Sequence, residues 1–334
     1  MLRAIINTAR PNYQFISKAT YQNYVISDVL AQIERECEKF CPVPRFPPRK
    51  VTVIGAGSDV GYIASLFLKQ QKVIKILALY DEPDQRVLGV ANDLAHIDTS
   101  PEVEAYQGRM YLKNALYTLK LFRVYDKRKV LGVNAINSMR ANQLFCSITG
   151  SDPASSQIPV ICGTGRCTRV PVFSAGKAGN FPQTQVDCLT RLVREADDII
   201  CKVKSNNEQG YLSIGFSTAR FVVNIMKGLF EKPAFIDSAL VEQANPEKCY
   251  NMSVCATPVT IGKAGIMEYA VPNLNEAETR LLEDSKCDLE DMLNLGRCHA
   301  VGDEYCLHPA KICPCCVYSP CTTCKPCRRQ YKAK

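Results

Sequence analysis

The sequence predicts an α/β fold built on a parallel sheet, and three observations predict it. Val51-Thr52-Val53-Ile54 is a short apolar strand that runs directly into a glycine-rich turn, Gly55-Ala56-Gly57-Ser58-Asp59-Val60-Gly61. Ile74–Tyr80 is a second apolar strand, and it ends at an acid, Asp81. The chain has 334 residues, 46% of them hydrophobic, enough for two domains with buried cores.

The segments before this unit read differently. Residues 1–27 carry Arg3, Arg10 and Lys18, no acid, and many Asn, Tyr, Ser and Thr. That composition fits a mitochondrial transit segment, with a plain disordered tail as the alternative. Residues 28–49 combine a short helix and a linker. Val29, Leu30, Ile33, Cys37 and Phe40 recur at helical spacing behind Asp28, a candidate N-cap. Cys41-Pro42-Val43-Pro44 and Pro47-Pro48 then make a stiff, non-helical stretch. The folded domain is expected to begin near Lys50.

From there the order is strand, glycine turn, helix over 62–70, strand, acid. Such a Rossmann-type unit sets a pyrophosphate at the N-terminus of the helix. The acid twenty residues after Gly61 is placed to hold a ribose hydroxyl. Gly55, Gly57, Gly61 and Asp81 are therefore the candidate cofactor-binding residues. The turn is altered at its middle position, which holds Ser58 with Asp59 beside it. A carboxylate at Asp59 would repel a pyrophosphate by a few kcal/mol, unless it serves as a helix cap where no phosphate binds.

Several runs, in order, resemble the mitochondrial-type malate dehydrogenases of the lactate/malate dehydrogenase family. They are Val53-Ile54-Gly55-Ala56, Leu79-Tyr80-Asp81, Gly89 through Ile97, Leu131-Gly132-Val133 through Asn142, Pro159-Val160-Ile161-Cys162-Gly163, Ser217-Thr218-Ala219-Arg220-Phe221, and Thr257-Pro258 through Ile266. The resemblance implies a dinucleotide-binding domain over 50–133 and an α+β substrate-type domain of helices and antiparallel strands over 134–303. It also implies NAD as cofactor and a homodimer.

The same resemblance marks what is missing. The family takes the substrate proton with a His oriented by an Asp, beside an Arg that clamps the substrate carboxylate. The Arg is present as Arg140, the Asp position holds Asn137, and the His position holds Thr164. Asn cannot stabilise an imidazolium by charge, and a Thr hydroxyl does not titrate near neutrality. The remaining histidines, His96, His299 and His308, lie outside the catalytic segments. Only about two dozen residues join Gly108 to Leu131. By comparison with the family about sixty residues are absent there, among them a central strand, the substrate-closing loop with its two Arg, and a further strand. The Rossmann-type doubly wound parallel sheet is thus expected to be truncated, with exposed strand edges unless it re-pairs. Asn206-Asn207-Glu208-Gln209-Gly210-Tyr211 puts bulky polar groups where the family has small ones.

Charge and cysteine content bound the rest. The net charge of +8 is concentrated at the ends: six Lys/Arg and no acid between Cys306 and Lys334, and three with no acid in 1–27. A nearly neutral body excludes a broad nucleic-acid surface. The absence of an apolar run near ~20 residues excludes a transmembrane helix. Seven of the eighteen Cys fall in the basic tail, 304–334, broken by Pro309, Pro314, Pro320 and Pro326. Two readings stay open for it: a zinc site on Cys-x-x-Cys-x-x-Cys, and a segment that cross-links through disulfides.

The function expected from the sequence is a catalytically inactive malate dehydrogenase-like protein with a structural or assembly role and no catalytic metal. It binds NAD weakly or not at all, and acts as a homodimer or disulfide-linked oligomer. The alternatives are a residual NAD-dependent malate dehydrogenase and a regulatory partner of an active malate dehydrogenase paralogue. The expected location is mitochondrial; cytoplasmic or flagellar assembly, as in sperm, is the alternative suggested by analogy with Cys-rich structural tails.

Overall fold

The structure, a computed structural model, describes residues 49–83, 86–115, 126–154, 156–176, 181–204 and 209–301. The expectations for 1–27, for the helix and linker before residue 49, for Asn206-Asn207-Glu208, and for the Cys-rich tail lie outside them. In chain order the main elements are β1 (Lys50–Ile54), α1 (Asp59–Lys69), β2 (Ile76–Asp81), α2 (Val87–Ala95), β3 (Glu102–Gln107) and α3 (Leu112–Ala115). There follow β4 (Gly132–Val133), α4 (Ala135–Thr149), β5 (Val160–Cys162), β6 (Arg169–Pro171), α5 (Gln183–Val203) and α6 (Tyr211–Phe230). The last are β7 (Ala234–Glu242), β8 (Val254–Gly262), β9 (Gly265–Tyr269) and α7 (Glu276–Val301).

The chain forms two compact units. Of the described residues, the first takes those in 49–130, 210–236 and 260–268; the second takes those in 131–209, 237–259 and 269–301.

In the first unit, β1, β2 and β3 form a parallel sheet in that order, with Val53 level with Leu79 and Leu79 level with Ala105. Strands of a parallel sheet are buried on both faces, and so read as continuous apolar runs. Leu77, Ala78 and Leu79 are fully buried accordingly. One face packs with Leu68, Val87 and Leu94 and with Ala219, Val223 and Met226 of α6. The helices α1 and α6 approach closely at Gly215, where an added Cβ would lie 2.5 Å from Ile63 Cγ2.

The truncation is visible at β1. Among the described residues no strand pairs with its second edge, and Ile54 is 61% exposed. Part of the segment after Gly108 covers the sheet instead: Ala115 packs with Ala78, Tyr80 and Tyr106, and its carbonyl accepts from Thr52 Oγ1 at 2.8 Å. The first helix starts at Asp59 rather than at 62, because Ser58 caps it. The second strand starts at Ile76 rather than 74, because the Ile74 amide is spent on a turn bond to Gln71 O.

The second unit contains antiparallel pairs; the substrate-type domain expected over 134–303 differs from it, because 210–236 and 260–268 fall in the first unit. The strand order in the second unit is β4-β7-β8-β5-β6. Two apolar clusters hold it, one around Ile161, Val170, Met252, Leu282 and Leu289, the other around Phe145, Ile158, Val160 and Val193. No helix among the described residues is long and apolar enough to cross a membrane.

Candidate functional site

The glycine-rich turn of the first unit has its donors turned inward. The amides of Gly55 and Ala56 both reach Tyr80 O (2.9 and 3.2 Å), and that of Ser58 reaches Gly55 O. The Gly57 amide donates to Asp81 Oδ2 at 2.8 Å, and the Gly61 amide donates to Ser58 Oγ at 3.1 Å. Ser58 Oγ in turn donates to Gly55 O at 2.7 Å. The serine in the middle position therefore acts as the N-cap, with Asp59 in the first turn behind it, which removes the alternative that Asp59 is the cap. Gly61 is required here: an added Cβ would run into the carbonyl oxygen of Gly55.

Asp59 has a cation beside it. Its Oδ1 pairs with Arg86 Nη2, while Arg86 Nε donates to Gly57 O at 2.7 Å and the guanidinium lies 4.6 Å from the Tyr62 ring centroid. Sequence reasoning missed Arg86 because nothing local links it to a turn 27 residues upstream. Both partners are about half exposed, so the pair contributes at most ~1 kcal/mol to stability. Asp81, the candidate ribose acid, binds the Gly57 and Glu82 amides through its two oxygens (2.8 and 2.9 Å).

The second unit brings Asn137 and Thr164 together. Asn137, on α4 and 1% exposed, donates from Nδ2 to Asn134 Oδ1 at 2.6 Å and to Thr164 O at 3.4 Å. Asn134 cannot reverse its role, because its own Nδ2 donates to Val160 O (3.2 Å) and Ser238 Oγ (2.7 Å). Position 137 thus faces two acceptors, an arrangement that an amide satisfies and a carboxylate does not. Asn137 Oδ1 finds no hydrogen-bond donor among the described residues.

Arg140, one turn further along α4, meets a carboxylate of the protein's own. Its Nη2 lies 2.7 Å from Asp197 Oδ1, off the N–H axis, so the contact is a charge pairing rather than a directed bond. The other oxygen of Asp197 accepts from Arg169 Nη2 at 2.5 Å. Arg169 is 6% exposed and also donates from Nε to Thr164 O at 3.0 Å. Burial opposes ionisation of Asp197, but contact with Arg140 and the charge of Arg169 outweigh it and hold the carboxyl below its ordinary range. A neighbouring set, Arg166 with Glu195 and Asp198 (3.1 and 2.7 Å), extends the network along α5. Asp197 carried no signal in the sequence, because a charge on an amphipathic helix reads as solvated face; Arg169, at the start of β6, sits in no motif.

Among the described residues no group of His, Cys, Asp and Glu has the arrangement of a metal site. The NAD-binding domain of lactate/malate dehydrogenases matches residues 49–120, and the α/β C-terminal domain of lactate/malate dehydrogenases matches 135–298. Mitochondrial malate dehydrogenases of Homo sapiens and Rattus norvegicus are each 25% identical to the chain, over 74% of the chain and 90% of the relative. That of Mus musculus is 24% identical with the same coverage. Each alignment runs over 311 positions, whereas 74% of this chain is about 247 residues, so about sixty aligned positions have no counterpart here. A crystal structure of a lactate dehydrogenase from a deep-sea metagenome library superposes with a TM-score of 0.59 at 16% identity, over 75% of this chain and 99% of that one. That likeness concerns the fold alone.

Proposed function

The chain belongs to the lactate/malate dehydrogenase family, and on that premise we propose that it is a member without catalysis, serving a structural or assembly role. One observation carries the reading. Where the family needs a base, an orienting acid and a free clamp, this chain has Thr164, the doubly donating amide of Asn137, and an Arg140 already paired with Asp197. No group at these positions takes a proton near neutral pH. General-base assistance is worth roughly 10²–10⁴-fold, and the sixty or so positions without counterpart fit the loss of the substrate-closing loop after Gly108. The test is steady-state reduction of NAD with malate by the purified full chain. A rate equal to that of a heat-killed control is expected; turnover above it overturns the reading.

The same proposal gives NAD weak binding. An NAD-binding domain is present, but the turn's donors are satisfied within the protein, so a pyrophosphate must compete with bonds already made. Calorimetric titration with NADH should give a dissociation constant well above the low-micromolar range, and a low-micromolar value would contradict the inward-turned reading of the turn. Replacing Arg86 with Ala, which strips Asp59 of its counter-charge, should weaken what binding there is by up to about fivefold.

For location and assembly the proposal is a mitochondrial protein. The transit-like composition of 1–27 supports it, as do relatives that carry "mitochondrial" in their names. Its chains assemble as homodimers that the Cys-rich tail cross-links. Lys325, Arg328 and Arg329 beside the thiols favour thiolate. A disulfide-linked ladder is expected on a non-reducing gel, lost with reductant and lost on deleting 306–334. A single monomer band together with stoichiometric acid-released zinc would assign the tail to metal binding instead.

A further inference from the structure

Two buried thiols between β7 and β8 have no part in the proposed site. Cys249 closes the turn Pro246–Lys248, Cys255 lies on β8, and each is 1% exposed. Their Sγ atoms stand 2.7 Å apart. That exceeds an S–S bond of about 2.05 Å, but it brings one sulfur within donating reach of the other. Gln243, 3% exposed, donates from Nε2 to Cys255 Sγ at 3.2 Å and supports the sulfur from a third side.

The chain between the two cysteines is held in an unusual shape. Tyr250 (φ 52°) and Asn251 (φ 59°) are consecutive non-glycine residues in the left-handed region. Such backbone persists only where the surroundings enforce it. Here the Asn251 amide donates to Pro246 O (2.9 Å), the Met252 amide to Cys249 O (3.0 Å) and the Gln243 amide to Ser253 O (2.8 Å), while Tyr250 Oη donates to Pro272 O. The left-handed pair folds the loop so that Cys249 returns to β8 beside Cys255.

We propose that Cys249 and Cys255 are a redox modification site, closing into a disulfide that locks the 246–253 loop onto β8. The hydrogen bond from Cys255 holds the Cys249 thiol below its ordinary pKa against the effect of burial. The same bond, with burial, pushes Cys255 up. One sulfur is thus the better attacking thiolate and the other keeps its proton until the second step. The Cys249 thiolate attacks a sulfur of a low-molecular-weight disulfide such as oxidised glutathione, forming a mixed disulfide and expelling one thiolate. Cys255 then gives up its proton and attacks Cys249 Sγ, expelling the second. One S–S bond is broken and one formed; two electrons and two protons leave on the reagent as two thiols. Ala256, next to Cys255, pairs with Cys162, two residues before Thr164. The lock therefore fastens the strand beside the one that leads to Thr164.

Trypsin cleaves after Lys248 and Lys263 and releases a peptide, 249–263, that holds these two cysteines and no other. The full chain is equilibrated at 37 °C in graded ratios of reduced to oxidised glutathione until the peptide ratios are constant. It is then quenched in acid, alkylated under denaturing conditions and digested for mass spectrometry. The expected result is a 249–263 peptide about two mass units lighter than the dithiol, without alkyl groups, at ratios where the exposed Cys188 and Cys287 are still alkylated thiols. Two results would overturn the proposal. One is a doubly alkylated 249–263 peptide in oxidised glutathione alone, once Cys188 and Cys287 carry glutathione. The other is a separate glutathione on each of the two cysteines.

Discussion

Asn137→Asp, the change that restores the family's acid, is expected to destabilise the protein by about 2–4 kcal/mol at pH 8. The site is 1% exposed, and it presents Asn134 Oδ1 and Thr164 O where the amide now donates. A carboxylate there faces two oxygens without a proton to offer either. Burial and these neighbours raise the pKa of the introduced carboxyl above its unfolded value of about 3.9. The sign follows: a raised pKa leaves the penalty small while the group is protonated, and the penalty grows as pH rises through the folded value. Urea denaturation of variant and parent at pH 5 and pH 8 should show a gap that widens with pH. Equal stability at pH 8 would show that the pocket accepts a charge. Adding Thr164→His to this variant should yield no turnover, because Arg140 stays paired with Asp197.

Removing that counter-charge is the second large effect. Asp197→Leu leaves Arg140 and Arg169, with side chains 10% and 8% exposed, as two buried like charges near each other. Breaking a fully buried pair costs about 3–5 kcal/mol. Asp197 itself is 42% exposed, and discounting for solvent screening gives about 2–3 kcal/mol. In the parent, the folded pKa of Asp197 is depressed, so its contribution is complete above the unfolded value of about 3.9 and is lost only as pH falls through the lower folded value. The loss in Asp197→Leu should accordingly be flat from pH 6 to pH 8. Combining it with Arg169→Met should return about half of it, since one of the two stranded charges is then gone. A variant as stable as the parent would mean that solvent, not Asp197, holds these guanidinium groups.

What could be read from the sequence follows the range of the interactions. The strand, turn, strand and acid of 51–81 were legible because apolar runs and glycines act locally, and the structure forms the parallel sheet they imply. The truncation was legible as a shortfall of residues after Gly108, and β1 is left with one strand partner among the described residues. Asn137 and Thr164 were identified by resemblance, and the structure places them in hydrogen-bond contact. The partners were not legible. Arg86 reaches Asp59 across 27 positions, Asp197 reaches Arg140 and Arg169 across more than that, and Asn134 reaches Ser238 across 104. A single sequence holds no record of such pairings. The charge at Asp59 could be located from the sequence, but Arg86, the cation that pairs with it, lies in another element.

We propose that the chain has kept the fold of a dehydrogenase and lost its chemistry. The first turnover, followed before the steady state, is the measurement that decides it, because slow product release cannot hide a chemical step there. The full chain, at a concentration well above the detection limit for NADH, is mixed with saturating NAD and malate, and NADH absorbance is followed from milliseconds to hours. No NADH above that of the heat-killed control is expected at any pH between 6 and 10. A burst approaching one NADH per chain would contradict the account.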